Sequence, residues 1–468
     1  MPLRLYPDGR GEVRPDELLS QALAWHGEGK EALARGAYLT ILQANPDHPV
    51  ALANFAILVK EEGNFELAQK LLGHALHVDP HNAEGWSNLG LMLNEVGRPE
   101  AAIEALEKAL SIKPGLLSAH RNLALALNEA GRLEESLAAY DKALVLAPDD
   151  AHLRWGRACM LLLMGDFSRG WAEYEARWGI KGAMIPHANG PEWSLATPSS
   201  ACVLVHSEQG FGDTIQFLRF VFPLIERGHR VELRVQDKLV RLLQSVDCRV
   251  RPGLDHGIHG GQLNISGFSS PMPEFHCQIP LLSLARLLGD LPAPKEYLSP
   301  EPELVKQWQT RLPQGGMRIG IAWQGTPNVA VDRGRSAPLV AFAPLIQSGV
   351  QLISLQKHHG LEQLGNLPGV IDLGPEFDSG LDAFIDAAAV IASLDLVIST
   401  DTAMAHLAGA LGCPVWLALK KVPEWRWGMA GEESPWYPSM RLFRQEKAGD
   451  WGAVFAKMAN ELAIRKST

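Results

Sequence analysis

The chain has 468 residues, which is too long for one hydrophobic core and predicts about three domains. Its 53 acidic and 43 basic residues give a formal net charge of −10, and no run is rich in lysine and arginine, which argues against a nucleic-acid-binding protein. Five scattered cysteines, none in a Cys-X-X-Cys pair, predict free thiols in a reducing compartment rather than a disulfide framework or a zinc site.

Neither a secretory signal nor a membrane span is predicted. The N-terminal residues contain no apolar segment of the kind that signal peptides carry. The longest apolar stretch, residues 402–419, is interrupted by His406, Gly409, Gly412 and Pro414, so it predicts a short helix followed by a strand. We therefore expect a soluble cytoplasmic protein.

A proline recurs every 34 residues in the first part of the chain, at Pro46, Pro80, Pro114 and Pro148. This period is the length of one helix–turn–helix unit, and proline ends a helix because it has no N–H to donate. A weaker copy covers residues 18–46, and a degenerate copy without a closing proline runs to Tyr174. The pattern resembles tetratricopeptide repeats and predicts an α-helical superhelix of about five repeats over residues 1–178.

Three asparagines share this period and are candidate acceptor-binding residues: Asn54, Asn88 and Asn122. They precede the apolar pair of each first helix and are expected to point toward the concave groove. An amide side chain both donates and accepts hydrogen bonds, so a ladder of amides suits the backbone of an extended peptide. The ladder resembles the one in the repeat domain of protein O-GlcNAc transferases. The alternative is that these residues only bind water.

After Trp178 the helical period stops. Residues 179–198 are rich in Gly, Pro, Ser and Ala and predict a linker. Apolar strand-like runs then alternate with helical runs, which is typical of parallel sheets flanked by helices. The predicted strands are 203–205, 231–235, one near Val250, 318–323, 351–355, 396–399 and 415–419, and a helix is predicted near residues 338–347. A proline-rich passage, 291–302, divides two Rossmann-like domains, 199–312 and 313–468, the second with a closing helix over about 450–465. Two such domains in tandem are typical of the GT-B fold of nucleotide-sugar transferases.

The strongest local motif, residues 399–412, begins at the end of a strand and opens a helix. Ligands of parallel sheets bind at the carboxyl ends of strands, and the N–H groups of a helix start suit a phosphate. Asp401 is expected to cap the helix or to bind sugar hydroxyls, and an ordinary capped helix is the alternative. The motif resembles the donor-binding motif of heptosyltransferase-like GT-B enzymes, which implies donor-binding roles for Asp401, Thr402, Ala403 and His406.

Three further segments of the last domain are expected to bind the nucleotide sugar. Gln324 and Gly325 follow its first strand, where the backbone can wrap a phosphate. Arg333 and Arg335 offer guanidinium groups that suit oxyanions, although solvated loop charge is the alternative for both. The next strand ends in residues placed where this fold binds the nucleobase and ribose: Ser354, Gln356 and Lys357.

The turn from Glu208 to Asp213 is the candidate catalytic segment. Gly210 and Gly212 let the backbone approach a ligand closely, so both are expected to contact the donor. Inverting sugar transfer needs a general base for the acceptor hydroxyl, and Asp213 at a helix start suits that role, with Glu208 as second candidate. In heptosyltransferases the aspartate of a matching turn is taken as the base. The alternative is that Asp213 only stabilises its helix.

Near the C-terminus, residues 425–427, 434–438 and 441–445 form an aromatic and basic cluster that predicts domain packing more than sugar stacking. We assign no function to Glu424, which precedes this cluster. His256, His259 and Cys277 match no zinc spacing, and GT-B enzymes typically use no catalytic metal, so no cofactor beyond the nucleotide-sugar co-substrate is expected.

Nearly the whole chain resembles bacterial tetratricopeptide-containing glycosyltransferases, some of which modify flagellin. The resemblance implies a metal-independent, inverting enzyme that moves a sugar to a Ser or Thr of a protein docked on the repeats. Two alternatives stay open: a lipopolysaccharide or other glycan transferase, and a non-catalytic scaffold with a decayed transferase domain. The sequence names neither the sugar nor its nucleotide.

Overall fold

The computed structural model describes residues 3–4, 12–180, 189–246, 262–289, 296–327 and 332–467. The chain forms two compact units, Met1–Met160 and Leu161–Thr468.

The first unit consists of paired helices and confirms the predicted repeats. Two short antiparallel strands, β1 (Leu3–Arg4) and β2 (Glu12–Val13), come first. The helices that follow are α1 (Pro15–Gly27), α2 (Glu31–Ala44), α3 (Pro49–Glu61), α4 (Phe65–Val78), α5 (Ala83–Glu95), α6 (Pro99–Ile112), α7 (Leu117–Ala130), α8 (Leu133–Leu146) and α9 (Ala151–Leu163). The turn inside each of the four pairs from α1 to α8 contains a glycine with positive φ, which side chains disfavour, at positions 29, 63, 97 and 131. Gly165, which follows α9, continues the same 34-residue period with positive φ.

Small residues let neighbouring helices of the repeats approach closely. A Cβ at Gly90 of α5 would lie 2.4 Å from Cγ of Leu106 in α6, and one at Gly156 of α9 would lie 2.6 Å from the Tyr140 hydroxyl of α8. Side chains at these two positions would therefore force the helices apart. The small residues of the sequence pattern mark the contacts that stack one helix on the next.

The second unit contains two parallel sheets flanked by helices. Its first part comprises α10 (Phe167–Tyr174), β3 (Cys202–His206), α11 (Phe211–Phe217), α12 (Phe222–Glu226), β4 (Arg230–Val235), α13 (Val240–Leu243), β5 (Leu263–Gly267), β6 (Cys277–Pro280) and α14 (Leu284–Leu288). Its second part comprises α15 (Pro302–Arg311), β7 (Met317–Ala322), β8 (Val350–Ser354), β9 (Val370–Ile371), α16 (Ile385–Ile391), β10 (Leu396–Thr400), α17 (Ala403–Ala410), β11 (Val415–Leu419), β12 (Met440–Arg444) and α18 (Trp451–Ser467).

Both sheets have a doubly wound strand order. The first sheet runs β5-β4-β3-β6 and the second β12-β11-β10-β7-β8-β9, and every pairing is parallel. The order reverses between β3 and β6 in the first sheet, and between β7 and β10 in the second. Such reversal points open a crevice at the carboxyl ends of the strands, where ligands of this fold bind. We call the parts built on these sheets the first and second sheet domains.

The structure differs from the predicted elements at one helix, and its two sheets contain strands that were not predicted: β5, β6, β9 and β12. The helix predicted near residues 338–347 is a 3-10 segment, Leu339–Leu345, because Pro344 lies inside it and cannot donate a backbone hydrogen bond. The strand predicted near Val250 lies outside the described residues. None of the described helices is both long enough and apolar enough to cross a membrane.

The division between the units falls earlier than the predicted end of the repeats at residue 178. Helix α10 belongs to the second unit, because Trp171 and Tyr174 pack edge-on against Trp425. Part of the predicted linker is also structured. The Trp193 side chain is buried, and its backbone N–H donates to the Gln278 carbonyl of β6 at 2.9 Å.

Candidate functional site

The carboxyl edge of the second sheet brings together predicted donor-binding residues from three segments. Gly325 follows β7, and a Cβ added there would lie 3.9 Å from Cγ2 of Thr402, which follows β10. Arg335 donates from Nη2 to the backbone carbonyl of Asp401 at 2.6 Å, and its Nε lies 3.4 Å from the Asp401 carboxylate. These residues therefore meet where the strand order reverses.

Helix α17 begins here without a capping side chain. Thr402 occupies the N-cap position but makes no capping hydrogen bond, and its hydroxyl lies 3.1 Å from Oγ of Ser399. Asp401 is buried against Arg335, so the capping role expected of its carboxylate is not the one that the structure gives it. The first turn of α17 thus lacks a side-chain cap, and its helix dipole favours an anion, although the Ala405 N–H already donates to the Thr402 carbonyl at 3.1 Å.

His406, one turn into α17, is a packing residue in the structure. Its Nδ1 lies 3.0 Å from the Tyr437 hydroxyl, and its ring stacks on Trp427 with centroids 5.5 Å apart. Burial, reinforced by nearby arginines, holds the pKa of His406 well below its usual range. The imidazole is therefore neutral and adds no positive charge to the site.

The residues after β8 shape loops rather than expose side chains. The Gln356 side chain accepts from the backbone N–H groups of Trp323 and Gln324 and donates to the carbonyls of Gln324 and His359, over 2.6–3.1 Å. Ser354 is buried and accepts from the Gln356 N–H, and Lys357 donates to the Phe377 carbonyl.

Arg333 is half-buried, and its carbonyl accepts from Lys420 at 3.3 Å. Of the two arginines in this loop, only Arg335 has described contacts that tie its guanidinium to the start of α17.

The first sheet domain supplies Asp213, in the first turn of α11. Its Oδ2 accepts from the Gly210 N–H at 3.0 Å, its Oδ1 accepts from Nη2 of Arg426, and its side chain is 20% exposed. A Cβ at Gly212 would lie 3.1 Å from Cδ2 of His406 and 3.4 Å from Cα of Ala403. The starts of α11 and α17 therefore touch, and Asp213 lies at their junction.

The second candidate base, Glu208, is enclosed. Its side chain is 3% exposed, and Oε1 lies 3.0 Å from Nη2 of Arg177 in the turn after α10. The same guanidinium bonds to Glu175 and Ser283. Burial raises the pKa of Glu208 to about 7, although Arg177 opposes that rise. Asp213 is thus the carboxylate of this turn that keeps an exposed surface.

Glu424 and Arg426 belong to the site, although the sequence did not predict a role for either. Arg426 is 9% exposed, and it donates to Glu424, to Gln216 and to Asp213. Burial raises the pKa of the Glu424 carboxyl, although Arg426 opposes that rise. The sequence signal was Glu424 two residues before Arg426, in a Trp-Arg-Trp run. That pattern does not reveal the contact with α11.

The asparagine ladder is uneven. Asn54 and Asn88 are half-buried, and Nδ2 of Asn54 donates to the Val50 carbonyl of its own helix at 2.8 Å. Asn122 is 3% exposed, and its Nδ2 donates to Ser87 of α5 at 3.3 Å. Asn122 therefore joins two helices, whereas Asn54 and Asn88 keep exposed surface.

The described residues hold no group of three or more His, Cys, Asp and Glu side chains arranged to bind a metal ion. His256 and His259 lie outside those residues.

Comparison with known proteins supports the repeats. Two family models for tetratricopeptide repeats match residues 54–116 and 93–156. Protein FlbA of Caulobacter vibrioides is 26% identical over 341 residues, which covers 68% of this chain and 56% of FlbA. The chain thus matches little more than half the length of this curated relative.

Solved structures with similar parts include a MamA protein, PilF of Pseudomonas aeruginosa and YrrB. MamA is 20% identical with a TM-score of 0.31, over 37% of this chain and 98% of MamA. PilF is 19% identical with a TM-score of 0.36, over 46% of this chain and 86% of PilF. YrrB is described as a tetratricopeptide protein with an unusual peptide-binding site. It is 15% identical with a TM-score of 0.30, over 35% of this chain and 84% of YrrB.

Proposed function

We propose that the chain is a glycosyltransferase that moves a sugar from a nucleotide sugar to a Ser or Thr hydroxyl of a protein bound by the repeats. The observation that carries the proposal is the junction of α11 and α17. There the reversal point of a doubly wound sheet meets a partly exposed carboxylate from a second such sheet. This arrangement resembles that of GT-B enzymes, in which two Rossmann-like domains share one site.

The phosphate groups of the donor fit the start of α17. Backbone N–H groups and the helix dipole favour an anion there, and Arg335 lies beside them with a permanent charge. Fixed donors of this kind stabilise the charge that develops on a departing nucleotide, without a metal ion. The loops shaped by Gln356 would carry the nucleobase and ribose at the ends of β7 and β8.

Asp213 would act as the general base. Its carboxylate takes the proton of the acceptor hydroxyl while that oxygen attacks the anomeric carbon from the face opposite the nucleotide. The new carbon–oxygen bond forms as the bond to the nucleotide phosphate breaks, so the nucleotide leaves with the bonding electrons. The configuration at the anomeric carbon is inverted.

The acceptor would be an extended segment of a protein, held in the groove that stacked helix pairs form. Asn54 and Asn88 are only half-buried, so they are the ladder residues that would meet its backbone. Flagellin is the first candidate, because the family that the sequence resembles includes enzymes that modify it.

The donor half of the proposal is tested by thermal unfolding with UDP, GDP, ADP and CMP. A ligand that binds only the folded state, at 100 times its dissociation constant, stabilises it by about 2.7 kcal/mol. We expect one nucleotide to raise the Tm of the unaltered chain and of Arg311→Gln, a control whose side chain is 54% exposed, by more than it raises the Tm of Arg335→Gln. The absence of any shift would contradict the transferase and favour the scaffold.

The acceptor half is tested by the intact mass of flagellin co-expressed with the chain and with Asp213→Asn. We expect a sugar-sized increment only with the unaltered chain, because the variant keeps its fold and nucleotide binding but lacks the base. Sugar transfer to a glycan, with no change in protein mass, would overturn the protein acceptor and leave the donor half standing.

A further inference from the structure

The candidate site contains two arginines that differ in how far their donors are used. Nη2 and Nε of Arg335 both face Asp401, and its side chain is 26% exposed. Arg426 is enclosed, and each nitrogen of its guanidinium has a described acceptor: Nε bonds to Gln216, Nη1 to Glu424 at 2.5 Å, and Nη2 to Asp213.

Glu424 holds Arg426 in this position. Its Oε1 accepts from Nη1, and its Oε2 accepts from the Arg426 backbone N–H at 3.0 Å. The Arg426 guanidinium also lies 4.2 Å from the centre of the Trp425 ring. The backbone carbonyl of Arg426 accepts a hydrogen bond from Nε1 of Trp436 at 2.8 Å. The arginine is therefore fixed at both its backbone and its side chain.

The fixed guanidinium reaches from the second sheet domain to α11 of the first. Its Nη2 binds Oδ1 of Asp213, while Oδ2 of the same carboxylate accepts from the Gly210 N–H. Each carboxylate oxygen thus has its own donor, and Gln216, one turn along α11, takes another bond from Arg426. These bonds restrict rotation of the carboxylate about its side-chain torsions.

A guanidinium whose nitrogens are all used by protein groups offers little to a diphosphate. A general base, in contrast, depends on orientation, since a misplacement of about 1 Å costs about 100-fold in rate. The two arginines therefore suit different tasks in the same site.

We infer that Arg426, held by Glu424, is a positioning residue that orients Asp213 from the opposite sheet domain, and that it leaves the phosphate groups of the donor to Arg335 and α17. The inference rests on the proposed function, in which Asp213 is the base. It predicts that loss of Arg335 weakens nucleotide binding, whereas loss of Arg426 or Glu424 lowers kcat.

The test measures nucleotide dissociation constants and turnover separately. Binding is measured calorimetrically with UDP, GDP, ADP and CMP. Turnover is measured as nucleotide released from UDP-N-acetylglucosamine, GDP-mannose, ADP-glucose and CMP-N-acetylneuraminate in the presence of flagellin. We expect Arg426→Gln to change the dissociation constant less than about 3-fold and to lower kcat about 100-fold. Arg335→Gln weakens binding by about 10-fold or more.

Two further variants separate positioning from a general structural effect. Arg426→Lys retains the positive charge and should recover part of kcat. In the Asp213→Asn background, Arg426→Gln should lower the residual kcat no further, because residues that act through one group are not additive. If Arg426→Gln does not fold, Glu424→Gln carries the same comparison, and Arg311→Gln, whose side chain is 54% exposed, is the matched control.

The inference is overturned if Arg426→Gln weakens nucleotide binding as much as Arg335→Gln does, since Arg426 is then an anion ligand. It is also overturned if Arg426→Gln lowers kcat equally with and without Asp213. An unaltered chain that shows neither nucleotide binding nor turnover overturns the proposed function, and the inference with it.

Discussion

The indole of Trp171 packs edge-on against the indole of Trp425, with ring centroids 5.1 Å apart and planes at 87°. Trp171 lies in α10, where the repeat-like sequence ends, and Trp425 opens the turn that carries Arg426. Trp171 also lies 5.8 Å from Phe217 of α11. Helix α10 is thus part of the aromatic core between the two sheet domains, next to the candidate site.

This packing predicts where the chain can be cut. A fragment of residues 161–468 should fold alone, because it keeps Trp171, Arg177 and Trp193. A fragment that starts at 199, the predicted domain boundary, loses all three and should aggregate or unfold without a cooperative transition. Circular dichroism during heating, together with size-exclusion chromatography, distinguishes the outcomes. Equal behaviour of the two fragments would show that α10 is dispensable.

Trp171→Ala should lower the free energy of unfolding of the second unit by about 3–5 kcal/mol, as large aromatic truncations in cores do. The control is Trp155→Ala, since Trp155 lies in the first unit and its loss should leave the free energy of unfolding of the second unit unchanged. Urea unfolding of the full chain measures both. A small effect at Trp171 would contradict its place in the core.

Glu208 predicts a pH dependence of stability. Because burial raises its pKa in the folded chain to about 7 from 4.5, the folded state binds this proton more tightly than the unfolded state does. The stability that this group contributes is fully present below pH 4.5 and is lost as pH rises through 7. Between these limits the loss is at most about 3 kcal/mol.

Glu208→Gln stays neutral, so its unfolding free energy should lack that decline. Urea unfolding at pH 5, 6, 7 and 8 compares the unaltered chain, Glu208→Gln and the exposed control Glu303→Gln. We expect the control to follow the unaltered chain. Parallel curves for all three proteins would refute the raised pKa.

The asparagine ladder predicts two separable effects. Alanine at Asn54, Asn88 and Asn122 together should weaken binding of the protein acceptor. Alanine at Asn122 alone should also destabilise the repeats by about 0.5–1.5 kcal/mol, because it removes a buried hydrogen bond to Ser87, which keeps the Ser118 hydroxyl as a partner. Asn54→Ala should be nearly neutral to stability. Calorimetric acceptor titration and thermal unfolding measure the two effects, and unchanged acceptor affinity in the triple variant would end the ladder hypothesis.

Treatment with EDTA should leave sugar transfer unchanged, because Arg335 and the start of α17 would neutralise the leaving nucleotide. The assay compares kcat before and after chelation and then with added Mg²⁺ or Mn²⁺. Loss of activity that either ion restores would show that the reaction needs a metal.

Periodic features of this chain were predictable from its sequence, and pairwise contacts were not. The prolines and glycines that end helices repeat every 34 residues, so they reveal the repeats, and alternating apolar runs reveal the parallel sheets. In contrast, Asp213 and Arg426 are 213 positions apart, and no local pattern links a Gly-Asp turn to a Trp-Arg-Trp run.

Burial was likewise hidden from the sequence. The same period places Asn54 and Asn122 in equivalent positions, yet only Asn122 is enclosed, because Ser87 of the preceding repeat lies against it. Gln356 shows a second limit. A glutamine can donate and accept several hydrogen bonds, and here backbone groups of two loops take them. Residue type predicted a polar contact but not its partner.

The uncapped start of α17 has a consequence for local stability. A helix that begins without a side-chain cap frays more readily in its first turn, so the amide hydrogens near Ala403 should exchange with solvent sooner than those of β10. An anion seated there would supply the missing acceptors and slow that exchange. Deuterium uptake at this turn would then report how much of the site is occupied, even for a donor whose sugar is never transferred.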